Sequence, residues 1–261
     1  MKLEKDKIGL VAILVVSILA VVVVFFQDSI AQDLNYHLFH DERTFFGIPN
    51  FWNVISNLPF LFVGLWGGQW VVKATQHNLL RELKLAYFFL FLGISLVAVG
   101  SGYYHLWPNN VTLVWDRMPM TIAFMSLFSV VIGEFISVRF SQLLLFPLLI
   151  FGILSVIYWH ITEGQGEGDL RLYVLVQFLP MLIIPMILLL FKPVYTLTRG
   201  YWLLLFSYLL AKALEYFDPA MFDILPLLSG HSLKHVTAAC GVFFLIRAYK
   251  HREPTYQKIQ H

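Results

Sequence analysis

Long apolar runs separated by short polar stretches set the pattern of this chain. Eight of them fall at approximately 8–26, 51–72, 84–105, 113–136, 142–160, 171–191, 201–217 and 231–248. A helix that crosses the hydrocarbon core of a bilayer needs about 20 mostly apolar residues, and each run comes close to that. The runs are too long, and too uniform around a helix, to be the alternating strands of a membrane barrel. The pattern therefore predicts an all-α integral membrane protein with eight spans. Connections are short, and no linker, low-complexity tract or repeat divides the chain, so a single helical bundle is expected. The first run follows a charged start, Met1–Lys7, as a signal peptide would. The apolar core of a signal peptide is typically about 7–15 residues and ends in small residues. Here the run extends from Ile8 to Phe26 and ends in Phe25-Phe26-Gln27, which reads as an uncleaved first helix.

Charge orients the bundle. Lys2, Lys5 and Lys7 precede the first run. Lys73, Arg81 and Lys84 lie in the second loop, Arg139 in the fourth, Lys192 and Arg199 in the sixth, and Arg247, Lys250 and Arg252 at the C-terminal end. The alternate loops are acidic, with Asp28, Asp33, Asp41 and Glu42, then Glu163, Glu167 and Asp169, then Asp218 and Asp223. The positive-inside rule then places both termini in the cytoplasm, and a plasma (cytoplasmic) membrane is the expected location. Composition agrees: 59% of residues are hydrophobic and 13% charged, against about 45–50% and about 25% in soluble domains. A net charge of +2 gives no reason to expect a nucleic-acid partner. The lone Cys240 excludes an intramolecular disulfide and a cysteine-based zinc cluster.

Polar residues at membrane depth are costly and tend to mark function. Two short patterns contain such residues: Ser101-Gly-Tyr-Tyr-His105, with Asp116 eleven residues further on, and His231-Ser-Leu-Lys-His235. Residues four apart share a helix face, and the predicted topology brings all of these groups to the non-cytoplasmic side. Three imidazoles around Zn²⁺ leave a fourth position for water, whose pKa falls from 15.7 to about 7. That makes the bound water a nucleophile, with Asp116 as general base and Ser101 orienting the water or donating to an oxyanion. Each residue also has a plainer reading. A single histidine often only hydrogen-bonds a neighbour, Asp116 can cap its helix, and Ser101 can bond back to a helix carbonyl. The combination, not any one member, carries the expectation. Tyr103, Tyr104 and Trp107 flank His105 as candidate substrate-lining residues, although aromatic residues are common at interfaces.

Other features are weaker. Lys212 and Glu215 are spaced to pair, and Glu134 is expected near the cytoplasmic end of its helix, where water is within reach. Gly93, Gly100 and Gly102 permit close helix approach. Pro180 and Pro185 can kink their helix and open space. His160, Thr162 and Glu163 are candidates for the rim of the site.

Together, Phe51-Trp-Asn-Val-Ile-Ser-Asn-Leu-Pro59, Ser101-x-x-x-His105, Asp116 and His231-x-x-x-His235 resemble the alkaline ceramidase family of the CREST superfamily of membrane hydrolases, which also contains the adiponectin receptors. Trp115-Asp-Arg-Met-Pro-Met120 is especially similar to bacterial members. The resemblance spans approximately 36–250. It implies a CREST-type seven-helix core over 51–250, preceded by an extra helix (1–26) and a non-cytoplasmic loop (27–50) and followed by a cytoplasmic tail (251–261). It also implies that the three histidines bind zinc, that Ser101 and Asp116 contact the metal-bound water, and that the substrate is ceramide or a related N-acyl lipid drawn from the bilayer. Eukaryotic members bind calcium partly through a glutamate just ahead of the Phe-Trp-Asn stretch. Here that residue is Asn50, and the spacing of Asp33, Asp41 and Glu42 fits neither that pattern nor an EF-hand loop, which argues against a calcium site. The superfamily's receptor branch supplies the alternative, a non-enzymatic lipid receptor or metal-stabilised scaffold with the same ligands.

Overall fold

A computed structural model describes residues 2–224 and 226–255; Met1, Leu225 and the end of the predicted tail, 256–261, lie outside the described residues. The described chain is helical throughout, apart from turns and two isolated β-bridges. Helix α1 (Lys2–Phe25) leads to a loop with one short 3-10 turn, Leu34–His37. The bundle follows: α2 (Phe51–Ile55), α3 (Leu58–Lys73), α4 (Lys84–Leu106), α5 (Asn110–Phe135), α6 (Val138–Gly164), α7 (Arg171–Leu190), α8 (Arg199–Tyr216), α9 (Asp218–Ile224) and α10 (Gly230–His251).

Among the described residues, six segments are long and apolar enough to cross a membrane: Asp6–Phe25, Phe51–Lys73, Arg81–Leu106, Asn110–Phe135, Val138–Gly164 and Arg171–Leu190. The protein is a multi-pass membrane protein. Helices α8 and α10 are also long, at 18 and 22 residues, but they carry Arg199, Lys212 and Glu215, and His231, Lys234, His235, Arg247 and Lys250 respectively. Of these, Lys212, Glu215, His231, Lys234 and His235 belong to the site described below.

The expected run at 51–72 is broken. Helix α2 ends at Ile55, and Pro59 sits in the first turn of α3, where a missing N–H costs nothing. The break leaves Ser56 at a corner facing the bundle interior.

Helix α4 packs between α3 and α5, α5 leans on α6 and α7, and α8 packs on α10, which closes against α3. Helix α1 packs chiefly on α7 and leaves most of its apolar surface exposed, as a lipid-facing outer helix does. The α4–α5 contact depends on glycine. Pro119 has no N–H to bond the carbonyl of Trp115 and crowds it, and a Cβ at Gly100 would sit on that carbonyl oxygen. A Cβ at Gly93 would likewise meet the backbone of Ala123. Gly102, also expected to permit close approach, faces nothing within 4 Å.

Glu134 departs from expectation. Instead of reaching water it is 1% exposed, paired with Arg252 at 2.7 Å and accepting hydrogen bonds from Tyr201 at 2.8 Å and from Tyr87. The chain beyond α10 folds back over the end of the bundle, which brings Arg252 to it.

Candidate metal centre and cavity

At the opposite end, His105 comes from the last turn of α4, and His231 and His235 from the first turns of α10. Their ring centroids lie 4.9, 5.0 and 5.2 Å apart. One ligand atom from each lies within 4.8 Å of the others, and all three residues are buried. Among the described residues this is the group of His, Cys, Asp and Glu side chains arranged to hold a metal ion.

The surroundings fit a cation. His105 Nδ1 and His231 Nε2 are buried without any hydrogen-bond partner, which is rare for buried polar atoms. His235 is oriented from behind. The Ser56 hydroxyl donates its one hydrogen to the carbonyl of Asn53 at 3.2 Å, so its oxygen accepts from His235 Nδ1 at 2.8 Å. This bond fixes the tautomer and leaves the Nε2 lone pair to act as ligand. Asp218, at the start of α9, accepts from the backbone N–H of His231 at 2.6 Å and from His40 Nδ1 at 3.2 Å, holding the start of α10 in place. Asn50 donates to the carbonyl of His105 at 2.9 Å. Asn53 accepts from Ser232 at 2.8 Å and donates to the carbonyl of Asp41 at 3.0 Å.

The loop between α1 and α2 roofs the centre. Phe39 lies 4.8 Å from the His105 ring and 4.9 Å from the His231 ring. His37 bridges the Tyr104 hydroxyl at 2.9 Å and Asn110 at 2.8 Å. Glu163, expected at the rim, ties the loop down by accepting from Gln32 N and Trp159 Nε1, both at 3.1 Å, and from Asn110 at 3.2 Å. Asp33 caps the 3-10 turn and Asp41 is clamped by Arg43 through two 2.7 Å bonds.

A cavity of about 370 Å³ runs from His235 into the bundle, within the range of small-molecule sites. Its walls are apolar side chains of α4, α5, α7, α8 and α10. Its polar end contains Ser101, Asp116, Arg117, Lys212, Glu215, Lys234 and His235. Ser101 and Asp116 lie side by side in this lining, on α4 and α5. Lys212 pairs with Glu215 at 2.7 Å, as its spacing predicts, and Lys234 pairs with the other oxygen of Glu215. Tyr36 also lines the cavity, and desolvation, followed by the negative charge of Glu215, raises its hydroxyl pKa above the ordinary tyrosine value, so it stays protonated.

Thus the structure brings Ser101, His105, Asp116, His231 and His235 together. Of the three aromatic residues flanking His105, Tyr103 and Trp107 meet edge to face at 5.5 Å and are exposed, while Tyr104 is buried under the roof. The aromatic residues that line the cavity are Tyr36, Phe60, Phe124, Tyr173, Phe178 and Tyr208. Sequence reasoning passed over Ser56, Asp218 and the roof. The cluster Tyr36-His-Leu-Phe-His40 in a supposed solvent loop was the available signal.

A model of the ceramidase family matches residues 45–214. The match includes Ser101, His105 and Asp116 and stops before His231 and His235, which join the site through the geometry above. No curated relative matches the chain.

Proposed function

The chain belongs to the ceramidase family, and from that membership we propose that it is an intramembrane zinc-dependent amide hydrolase acting on ceramide or a related N-acyl lipid. The observation that carries this reading is the convergence of three buried imidazoles on one point, beside an apolar cavity that also holds Asp116 and Ser101. In this reading all eight long apolar runs span the bilayer, both termini are cytoplasmic, and the cavity's polar end faces the non-cytoplasmic leaflet.

His105, His231 and His235 would hold the ion, with Ser56 setting the tautomer of His235. A zinc ion there supplies Lewis acidity and lowers the pKa of a water from 15.7 to about 7. Asp116 takes a proton from the attacking water and delivers it to the departing amine, a role worth typically about 10²–10⁴ in rate. Ser101, beside Asp116 in the polar end of the cavity, uses its one hydrogen either to orient the attacking water or to donate to the negative charge developing on the amide oxygen. The acyl chain occupies the apolar length of the cavity, which excludes water from the reacting end.

The test is turnover of a fluorescent N-acyl lipid by the purified, zinc-loaded chain. Hydrolysis abolished by chelation, and lost in an Asp116→Asn variant that still binds zinc, is the expected result. Chelation-insensitive turnover, or a wild-type rate in Asp116→Asn, would remove the proposed chemistry.

A further inference from the structure

Arg117, next to the proposed base, has no role in the reaction described above. It is 7% exposed, and no ion pair joins it to a carboxylate among the described residues. Its planar faces are covered, by Trp159 at 4.2 Å and by Tyr173 at 4.8 Å from the ring centroids. Nη2 donates to the neutral side-chain oxygen of Gln32. Nη1 is buried with no partner at all, and the residue lines the cavity. Among the described residues, none of the nearby carboxylates makes an ion pair with it. Glu215 is already shared by Lys212 and Lys234, and Asp116 is the adjacent residue on the same helix, projecting about 100° away. The polar end of the cavity therefore carries three cations against two carboxylates.

A buried guanidinium without a counter-ion is costly. One held against aromatic rings, with a nitrogen left unpartnered and a cavity beside it, is suited to take an oxyanion through its fork. We propose that Arg117 receives an anionic group on the head of the substrate, so that the preferred substrate is an N-acyl lipid bearing a carboxylate, sulfonate or phosphate close to the scissile amide. Closeness follows from the cavity, since Arg117 and the proposed base Asp116 line the same polar end. The proposal rests on the hydrolase reading for the word substrate, but not for the anion site. The same oxyanion chemistry has a second source, the carboxylate of the released fatty acid, and the experiment separates the two.

The zinc-loaded full chain is assayed with a matched pair, N-palmitoylglycine and N-palmitoylethanolamine, which differ by a carboxylate against a hydroxymethyl group. Wild type is expected to favour the glycine conjugate in kcat/KM by about tenfold or more, and Arg117→Met to bring the ratio close to one. Arg117→Lys keeps the charge but loses the fork, and is expected to fall between them. If Arg117→Met does not fold, the lysine variant decides, and a wild-type ratio in it overturns the proposal. An unchanged ratio in folded Arg117→Met also overturns it. If palmitate inhibition is relieved in that variant, the arginine serves the released acid instead. Thermal unfolding supplies a readout independent of turnover: hexadecanesulfonate should stabilise wild type where hexadecanol does not, and the difference should vanish in Arg117→Met. Were neither amide cleaved while that difference held, the hydrolase reading would fail and the anion site would stand. Equal stabilisation of wild type by both amphiphiles would sink the anion site.

Discussion

Two buried arginines at opposite ends of the bundle show what separates a structural polar cluster from a working one. Arg252 is 3% exposed and stacked on Tyr195 at 4.1 Å and Tyr249 at 4.3 Å. Its Nε donates to the carbonyl of Asn78 at 2.9 Å, Nη1 pairs with Glu134 at 2.7 Å, and Nη2 donates to the Tyr87 hydroxyl at 2.8 Å. Tyr201 bonds the other oxygen of Glu134, and Tyr249 bonds Tyr201 at 3.0 Å. Each Arg252 nitrogen has an acceptor and both Glu134 oxygens have donors, so the ion pair is closed even though Trp70 Nε1 and Asn78 Oδ1 beside it have no partner. Arg117 has similar burial and similar aromatic stacking, but an unpartnered nitrogen, no carboxylate, and a cavity beside it. His105 and His231, at the same end of the bundle, each also hold an unpartnered ring nitrogen. Polar residues at membrane depth therefore do not by themselves mark a site; a buried charge left without a counter-ion beside a cavity is the feature that separates the two ends.

Four substitutions would break or sharpen this contrast. The largest effect is expected for Glu134→Leu, which strands Arg252 as an unpaired buried charge. It should cost about 3–5 kcal/mol, read as a fall in the thermal unfolding midpoint, and a wild-type midpoint would show that the cluster is not closed. Gly100→Ala drives a methyl into the Trp115 carbonyl and should destabilise by about 1–3 kcal/mol or more. Because that contact lies between Ser101 and Asp116, turnover should fall further than stability alone explains. Ser56→Ala removes the group that orients His235 and should weaken zinc affinity by about 10–100-fold, measured by competition with a chelator, with little change in the fold. Smallest is Arg117→Met, which strands no partner charge and should leave stability within about 1 kcal/mol of wild type. A loss comparable to that of Glu134→Leu would mean that Arg117 is structural, and the contrast between the two ends would collapse.

Much of the site was legible in the sequence because helical spacing is a strict rule. Ser101 and His105, and His231 and His235, share faces by their separation of four residues, and apolar run lengths and loop charges place them at one end. What was not legible came from contacts between distant segments. Ser56 behind His235 depends on the break between α2 and α3, and Asp218 depends on a short helix inside what reads as a loop. The roof at Tyr36–Phe39 depends on a segment folding back over the bundle. Glu134 was misplaced for the same reason: the residue that neutralises it, Arg252, lies 118 positions away and beyond the last helix. Apolar periodicity carries information about faces, not about which loop returns to cover them.

The central claim is that the three histidines share one metal ion, and metal analysis of the purified chain tests it most directly. Wild type should contain about one zinc per chain, and His105→Ala and His235→Ala should each lose it while retaining the helical circular dichroism of the wild type. Stoichiometric zinc in either folded variant, or a wild-type chain that binds none when zinc is supplied, would contradict the account.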